Sequence, residues 1–295
     1  MNLPHHPSTQ FNQHRSRLFG IAYRMLSSRA DAEDVLQDAY LRWHDADPPD
    51  NPEAWLVTVV TRLCIDRLRK AKLERETYTG PWLPEPLIGA AADLQSPQAI
   101  MEFASDVSTA FLMVLERLGA EQRAAFLLHE VFDVGYPEIA RMLGKGEAAC
   151  RQLVHRARNQ VRQPAPRFAV SREAHMQLLE KFIAASQSGD HALLSDIFAD
   201  DASFTADGGG KVLAVLKVLH GVERIVRLLQ IIARDLGQRA TYRTTEINGE
   251  PGVLRYVDGR LDAAVSFLLE AGEDNRAPRI KAAYLVRNPD KLSFA

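Results

Sequence analysis

The sequence is short of cysteine, of net charge and of uninterrupted apolar runs, and each shortage removes a class of protein. Only Cys64 and Cys150 carry thiols, with no CxxC or Cys/His spacing, so neither a disulfide framework nor a zinc site is expected. No window reaches the roughly 18 apolar residues that a membrane-crossing helix needs, because Lys217 and His220 interrupt the greasiest stretch, VLAVLKVLHGV. The first residues, MNLPHHPSTQFNQHR, hold no basic segment followed by an apolar core. No secretory leader is therefore read there, and the chain is expected in the cytoplasm with no membrane partner. Thirty-six basic against 38 acidic residues leave a net charge of -2, which selects no partner.

What is present is enough for several folded domains. The 295 residues predict two or three domains at roughly 100 to 200 residues each. Apolar residues at 46% and charged residues at 25% exclude a largely disordered or low-complexity chain. Charge is distributed in blocks. Ala30 to Ala54 holds eight acids and one base, Arg62 to Arg75 six bases and two acids, and Arg141 to Arg162 six bases and one acid. Alternating blocks of opposite sign imply several contact surfaces.

Helical spacing of Phe11, Leu18, Ile21, Ala22 and Met25, then of Ala32, Val35, Leu36 and Ala39, then of Trp55, Val59, Leu63 and Ile65 predicts a helical domain over residues 1–75. Residues 76–104 contain Pro81, Pro84 and Pro86 and read as a proline-stiffened linker. Helical periodicity returns over 105–165. Residues 166–295 change character: helices near 172–187, 190–199 and 221–236 precede strands at ATYRTTEI, GVLRYV, RLDAAVSFLLE and RIKAAYLVR. This last domain reads as α+β. Asp258-Gly259 between two of its strands is a hairpin signal.

Tyr136 to Val161 has the form of a helix-turn-helix. Ile139, Ala140 and Leu143 are its first apolar set, Gly144 ends the first helix, and Cys150, Val154, Ala157 and Val161 form the stripe of the second. Glu147, Arg151, Gln152, His155 and Arg158 are left on the opposite face. Arginine there can read guanine edges while other bases hold phosphates; the bland alternative is a solvated basic face. Glu147 fits either a cytosine amino group or a helix N-terminal acid favoured by the dipole. Upstream, Asp34, Gln37 and Asp38 at i, i+3 and i+4 share one acidic helix face, which is either solvated or kept for a basic partner. Arg62, Arg69 and Lys70 form a basic complement suited to phosphate. Trp55 and Thr58 lie one turn before it; Trp55 can stack an unpaired base or anchor the core.

The order of DAEDVLQDAYLRW, TRLCIDRLRK, linker and helix-turn-helix resembles the sigma-70 superfamily in its extracytoplasmic-function class, over residues 11–162. GPWLPEPL, DGGGK, NGEPG and VRNPDKL further resemble the subgroup with a C-terminal SnoaL-like domain. The resemblance implies a multidomain chain: two all-α sigma domains, region 2 and the helix-turn-helix region 4, and a C-terminal α+β SnoaL-like cone-shaped barrel. It implies a non-enzymatic subunit that binds core RNA polymerase, through the beta-prime clamp and the beta subunit, and directs promoter-specific initiation, with the C-terminal domain tuning activity in cis. Residue by residue it assigns Asp34, Gln37 and Asp38 to core polymerase. It assigns Trp55, Thr58, Arg62, Arg69 and Lys70 to minus-ten DNA, and Arg151, Gln152, His155 and Arg158 to minus-thirty-five DNA. Trp82, Leu83 and Leu87 are large apolar groups on the stiff linker and are expected to dock as a regulatory latch.

Two other readings compete. A ligand-responsive helix-turn-helix regulator would share the DNA-reading face but needs neither the acidic face nor the separate basic helix. A SnoaL-type cyclase or isomerase with a DNA-binding accessory would need an acid/base pair, for which Asp207, His220 and Asp258 are the candidates. DGGGK lacks the phosphate-loop spacing and reads as a tight turn. His5, His6 and His14 sit in a polar tail, so no metal and no cofactor are expected; a small-molecule ligand in a C-terminal pocket is left open.

Overall fold

The computed structural model describes residues 7–47, 49–89, 107–161, 170–272 and 277–293. The expected domain boundaries near 104 and 165, and His5 and His6, lie outside them. The chain divides into two units, one made of residues 1–76, 91–107 and 111–163, the other of residues 77–90, 108–110 and 164–295. The helical segments before and after the linker thus belong to one unit, and the first part of the linker belongs with the α+β domain.

In the first unit, α1 (Pro7–Leu26), α2 (Arg29–Asp45) and α3 (Pro52–Glu76) pack together. Ser28 caps α2, its hydroxyl accepting from the Asp31 N–H at 3.2 Å. Val35, Leu36 and Ala39 turn inward, as their spacing predicts. On α3 the apolar face is broader than the expected one. Leu56, Val57, Val60, Cys64, Ile65 and Leu68 are buried, whereas Trp55, Val59 and Leu63 are half-buried. Contact with both α1 and α2 requires a broad apolar face that a single stripe understates. Burial pushes the Cys64 thiol far above its usual range, so this cysteine is an inert core residue.

The same unit continues through α4 (Thr109–Leu115), whose first two residues belong to the other unit, α5 (Ala120–Glu130), α6 (Tyr136–Leu143) and α7 (Glu147–Val161). Gly144 closes α6 at φ 63°, ψ 36°, a left-handed cap that glycine adopts without a Cβ penalty. Ile139, Ala140 and Met142 are buried, and Leu143 is half-buried where burial was expected. Cys150, Val154 and Ala157 are fully buried along α7.

The second unit begins with α8 (Arg172–Ser188) and α9 (His191–Ile197), capped by the Ser171 and Asp190 side chains. β1 (Phe198–Asp207), a strand missed by the sequence reading, follows directly. Two of its three acids, Asp200 and Asp201, suggest a loop; they fall where the strand is exposed, while Phe204 to Asp207 are buried. β2 (Leu219–His220), α10 (Val222–Leu236), β3 (Ala240–Ile247), β4 (Glu250–Val257), β5 (Arg260–Glu270), β6 (Arg279–Val286) and α11 (Pro289–Leu292) complete the domain. The sheet order is β2-β1-β6-β5-β4-β3, antiparallel except for the parallel β1–β6 pair. Asp258 and Gly259 both take positive φ, 51° and 77°, in the β4–β5 hairpin turn.

The sheet packs a large core that takes Leu178, Phe182, Phe198, Phe204, Val226 and Phe267 from helices and strands alike. A smaller cluster of Ile247, Leu254 and Ala264 is covered by Ile88 and Leu292.

His175 on α8 is buried, its Nε2 has no hydrogen-bond partner, and Glu250 lies 3.8 Å from Nδ1. Burial, reinforced by Arg172, lowers its pKa from 6.5 to about 4. The unfolded chain therefore takes up this proton at higher pH than the fold does, and stability should fall as pH drops from about 6.5 towards 4. Glu250, raised by its own burial, opposes the trend. The measurement is the difference between wild type and His175→Leu in denaturant midpoint against pH, and the variant should lose the acid-side decline.

Candidate functional site

Three exposed surfaces and one buried clasp gather the residues singled out in the sequence. On α2, Asp34, Gln37 and Asp38 are all exposed. Arg67 of α3 reaches across to Asp34 at 2.8 Å and to Asp31 at 2.6 Å. This pairing leaves Gln37 and Asp38 as the open part of the acidic face.

On α3, Trp55 is half-buried against Trp43, ring centroids 5.7 Å apart. The Thr58 hydroxyl donates to the Ala54 carbonyl at 2.7 Å. Arg62 donates from Nε to the Met142 carbonyl at 2.9 Å and from Nη2 to the Arg141 carbonyl at 3.3 Å. These are last-turn carbonyls of α6, which have no partner within their own helix. Arg69 pairs with Asp66 at 3.4 Å and with Glu121 of α5 at 2.9 Å. Lys70 is exposed. Two of the five residues grouped on this helix are thus already held by the helix-turn-helix half of their own unit, which spacing along α3 could not reveal.

That half is locked further by a buried ion cluster. Arg123 of α5, 2% exposed, donates to the Met25 carbonyl at 2.6 Å and to Glu116 at 2.8 Å. The Ser27 hydroxyl donates to the same carboxylate oxygen at 3.0 Å, and Arg75 pairs with the other oxygen.

On α7, Arg151, Gln152, His155 and Arg158 are all exposed and share one face. Arg151 pairs with Glu147 at 2.8 Å and lies 5.2 Å from the Tyr136 ring centroid. Arg158 pairs with Glu130 at 2.6 Å. Glu147 therefore serves at least to orient Arg151.

The clasp joins four sequence motifs within the second unit. Leu83 and Leu87 are buried and Trp82 is half-buried. Asp207, with no exposed surface, accepts four hydrogen bonds: Tyr78 Oη at 2.5 Å, Leu83 N–H at 2.9 Å, Gly209 N–H at 2.9 Å and Lys291 Nζ at 2.8 Å. Lys291 also donates to the Leu83 carbonyl at 2.5 Å and sits 4.1 Å from the Trp82 ring centroid, a cation–π distance. Asn288 donates to the Tyr78 oxygen at 3.0 Å. Burial and the Asp207 hydrogen bond push the Tyr78 hydroxyl pKa up, so it stays a donor.

Further along the linker, the Leu87 N–H donates to Asn248 Oδ1 at 2.8 Å, and the Asn248 N–H donates back to the Leu87 carbonyl at 3.0 Å. The glycines of DGGGK are explained by these neighbours. A Cβ on Gly209 would lie 2.4 Å from Asn288 Nδ2, and one on Gly210 3.0 Å from Thr79 Cβ.

The three acid/base candidates are scattered through this domain. Asp207 is consumed by the clasp, His220 is exposed on β2, and Asp258 forms the hairpin turn, 3.5 Å from Arg239. A cavity of about 10 Å³ under the sheet is lined by Phe182, Ser186, Phe204, Tyr242 and Arg255, and by none of the three candidates. It has room for at most one water. Arg255, buried and doubly bonded to Asp262 at 2.8 and 2.6 Å, is part of its wall. Among the described residues no helix is long and apolar enough to cross a membrane, and no cluster of three metal-ligating side chains occurs.

Residues 10–74 match the Sigma-70 region 2 family and residues 108–161 the Sigma-70, region 4 family. The chain is 37% identical over 296 residues to the ECF RNA polymerase sigma factor SigJ of Mycobacterium tuberculosis, covering 97% of this chain and 93% of that protein. It is 30% identical over 274 residues to the probable ECF RNA polymerase sigma factor SigI of the same species, covering 90% of each. A crystal structure of Mycobacterium tuberculosis SigJ superposes with a TM-score of 0.77 at 34% identity, over 97% of this chain and 98% of that one. With the region 2 helices, the region 4 helix-turn-helix and the α+β SnoaL-like domain all in place, the chain belongs to the extracytoplasmic-function sigma factors, which bind core RNA polymerase and promoter DNA to direct transcription initiation.

Proposed function

We propose that this sigma factor engages core polymerase through Asp34, Gln37 and Asp38, reads the minus-ten element with the α3 face and the minus-thirty-five element with α7, and is tuned in cis by its C-terminal domain. It acts by binding, in the cytoplasm, with the beta-prime clamp and the beta subunit as its protein partners. The observation that carries this reading is the exposure of oppositely charged side chains on separate helices: acids on α2, and bases on α3 and α7. A protein that only bound duplex DNA would have no use for the first.

Tuning follows from how the linker is held. Leu83 and Leu87 fix it into the C-terminal domain through backbone bonds to Asp207 and Asn248, which constrains the chain between the two DNA-reading segments. Arg62 and Arg69, bonded to region 4, are released when region 2 takes up promoter DNA.

Promoter-dependent run-off transcription with purified core polymerase tests the whole reading; no transcript from any promoter tried would reject it. Within that assay, Arg151→Ala should weaken cognate promoter use by about 1 to 3 kcal/mol if Arg151 reads a base. Lys70→Ala should act more evenly across promoters. Equal losses for Arg151→Ala on every minus-thirty-five variant would make Arg151 a phosphate contact.

A further inference from the structure

We propose that a cleft in the helical unit, between the end of α3 and the turn into α5, binds a phosphate-bearing small molecule of nucleotide size. The cleft encloses about 800 Å³, within the range of small-molecule sites. Among the described residues, Arg69, Lys72, Arg75, Arg117 and Arg123 line it against two carboxylates, Glu116 and Glu121.

Both carboxylates are already occupied. Glu116 is shared by Arg75, Arg123 and Ser27, and Glu121 by Arg69 and Lys145. Lys72 and Arg117 are exposed and make no ion pair among the described residues. Among the described residues the positive charge in the cleft is therefore in excess.

Three further features point to an anion. The α5 helix starts in the cleft wall, and its cap residue, Gly119, has no side chain to accept from the first-turn N–H groups. Those groups and the helix dipole favour a negative ligand. Arg123, almost fully buried in the same wall, has its Nε–H without any partner. Burial lowers the pKa of both Arg75 and Arg123 to about 10, and Arg75 is lowered further by the charge of Arg123. A bound anion would relieve both. Leu68, Leu118 and Leu153 supply apolar wall, so the cleft offers a phosphate end and an apolar end, as a nucleotide needs.

The test is calorimetric titration of the full chain with ATP and, separately, with inorganic tripolyphosphate. Both should bind saturably, ATP the more tightly because its base can cover the leucines. The double variant Lys72→Ala/Arg117→Ala, whose side chains are exposed and unpaired, should keep its circular dichroism and weaken ATP binding at least tenfold. Arg156→Ala, on α7 and outside the cleft, should not change it. Absence of saturable binding, or equal binding by the double variant, would overturn the proposal. Equal affinity for tripolyphosphate and ATP would overturn the nucleotide-size assignment. If single-stranded DNA bound in a manner lost in the double variant while ATP did not bind, the cleft would be a nucleic-acid contact instead.

Discussion

Reversing both acids of the α2 face, in Asp34→Lys/Asp38→Lys, should abolish capture of core RNA polymerase while leaving the helical unit folded. Both side chains are exposed, and neither contributes to the apolar contacts of Val35, Leu36 and Ala39 that hold α2 in place. The structural cost is confined to Asp34. Its pair with Arg67, between side chains 58% and 36% exposed, is worth about 0 to 1 kcal/mol, and Arg67 keeps Asp31 as a partner. Lysine at 34 would face Arg67, a mild repulsion in high dielectric. Against a basic partner surface the same reversal places like charges together, which costs several kcal/mol, or more than about a hundredfold in affinity. A pull-down against core polymerase reads the loss, and thermal melting by circular dichroism reads the fold. Unchanged capture would remove the acidic face from the polymerase interface.

Asp207→Ala should release the linker from the C-terminal domain. Four donors converge on this one carboxylate. Its removal leaves the Lys291 ammonium, whose side chain is only 12% exposed, without its counter-ion. Breaking a buried pair by deleting one partner costs roughly 3 to 5 kcal/mol. Lys291 retains the Leu83 carbonyl and the Trp82 ring, so the lower end of that range is expected.

Limited proteolysis should then cut within residues 77–89 in the variant and spare them in wild type, and promoter-dependent transcription should fall because the linker no longer holds its place. Tyr78→Phe is the graded control: it deletes the two hydrogen bonds of the Tyr78 hydroxyl, to Asp207 and from Asn288, and leaves the charge pair, so roughly 2 kcal/mol is expected. If Asp207→Ala left linker protection and transcription at wild-type levels, the clasp would have no regulatory role.

The helix-turn-helix was legible because local physics specifies it. Gly144 supplies a left-handed cap, the apolar positions recur at helical spacing, and the charged face of α7 follows from the same period without any knowledge of neighbours. The acidic face of α2 was legible for the same reason. The face of α3 was read one stripe too narrow, because a helix packed on two sides buries more than an amphipathic period announces. β1 was missed because Asp200 and Asp201 outweigh its β-forming residues until the parallel pairing with β6 supplies the reason for an extended chain.

The sequence alone thus determined the order of the charged helices, the turn glycines and the class of each domain, all properties of neighbours within a few residues. Only tertiary structure could decide what Asp207 does. In the sequence it stands as a possible catalytic acid before a glycine-rich turn. In the fold, a linker residue 124 positions earlier and a lysine 84 positions later meet at its carboxylate. Likewise only tertiary structure could turn Arg62 from a free basic residue into the cap of a helix 79 residues away. Charge and polarity are local properties, but the partner that satisfies a buried charge or an orphan carbonyl is chosen by chain topology, and no local pattern encodes it.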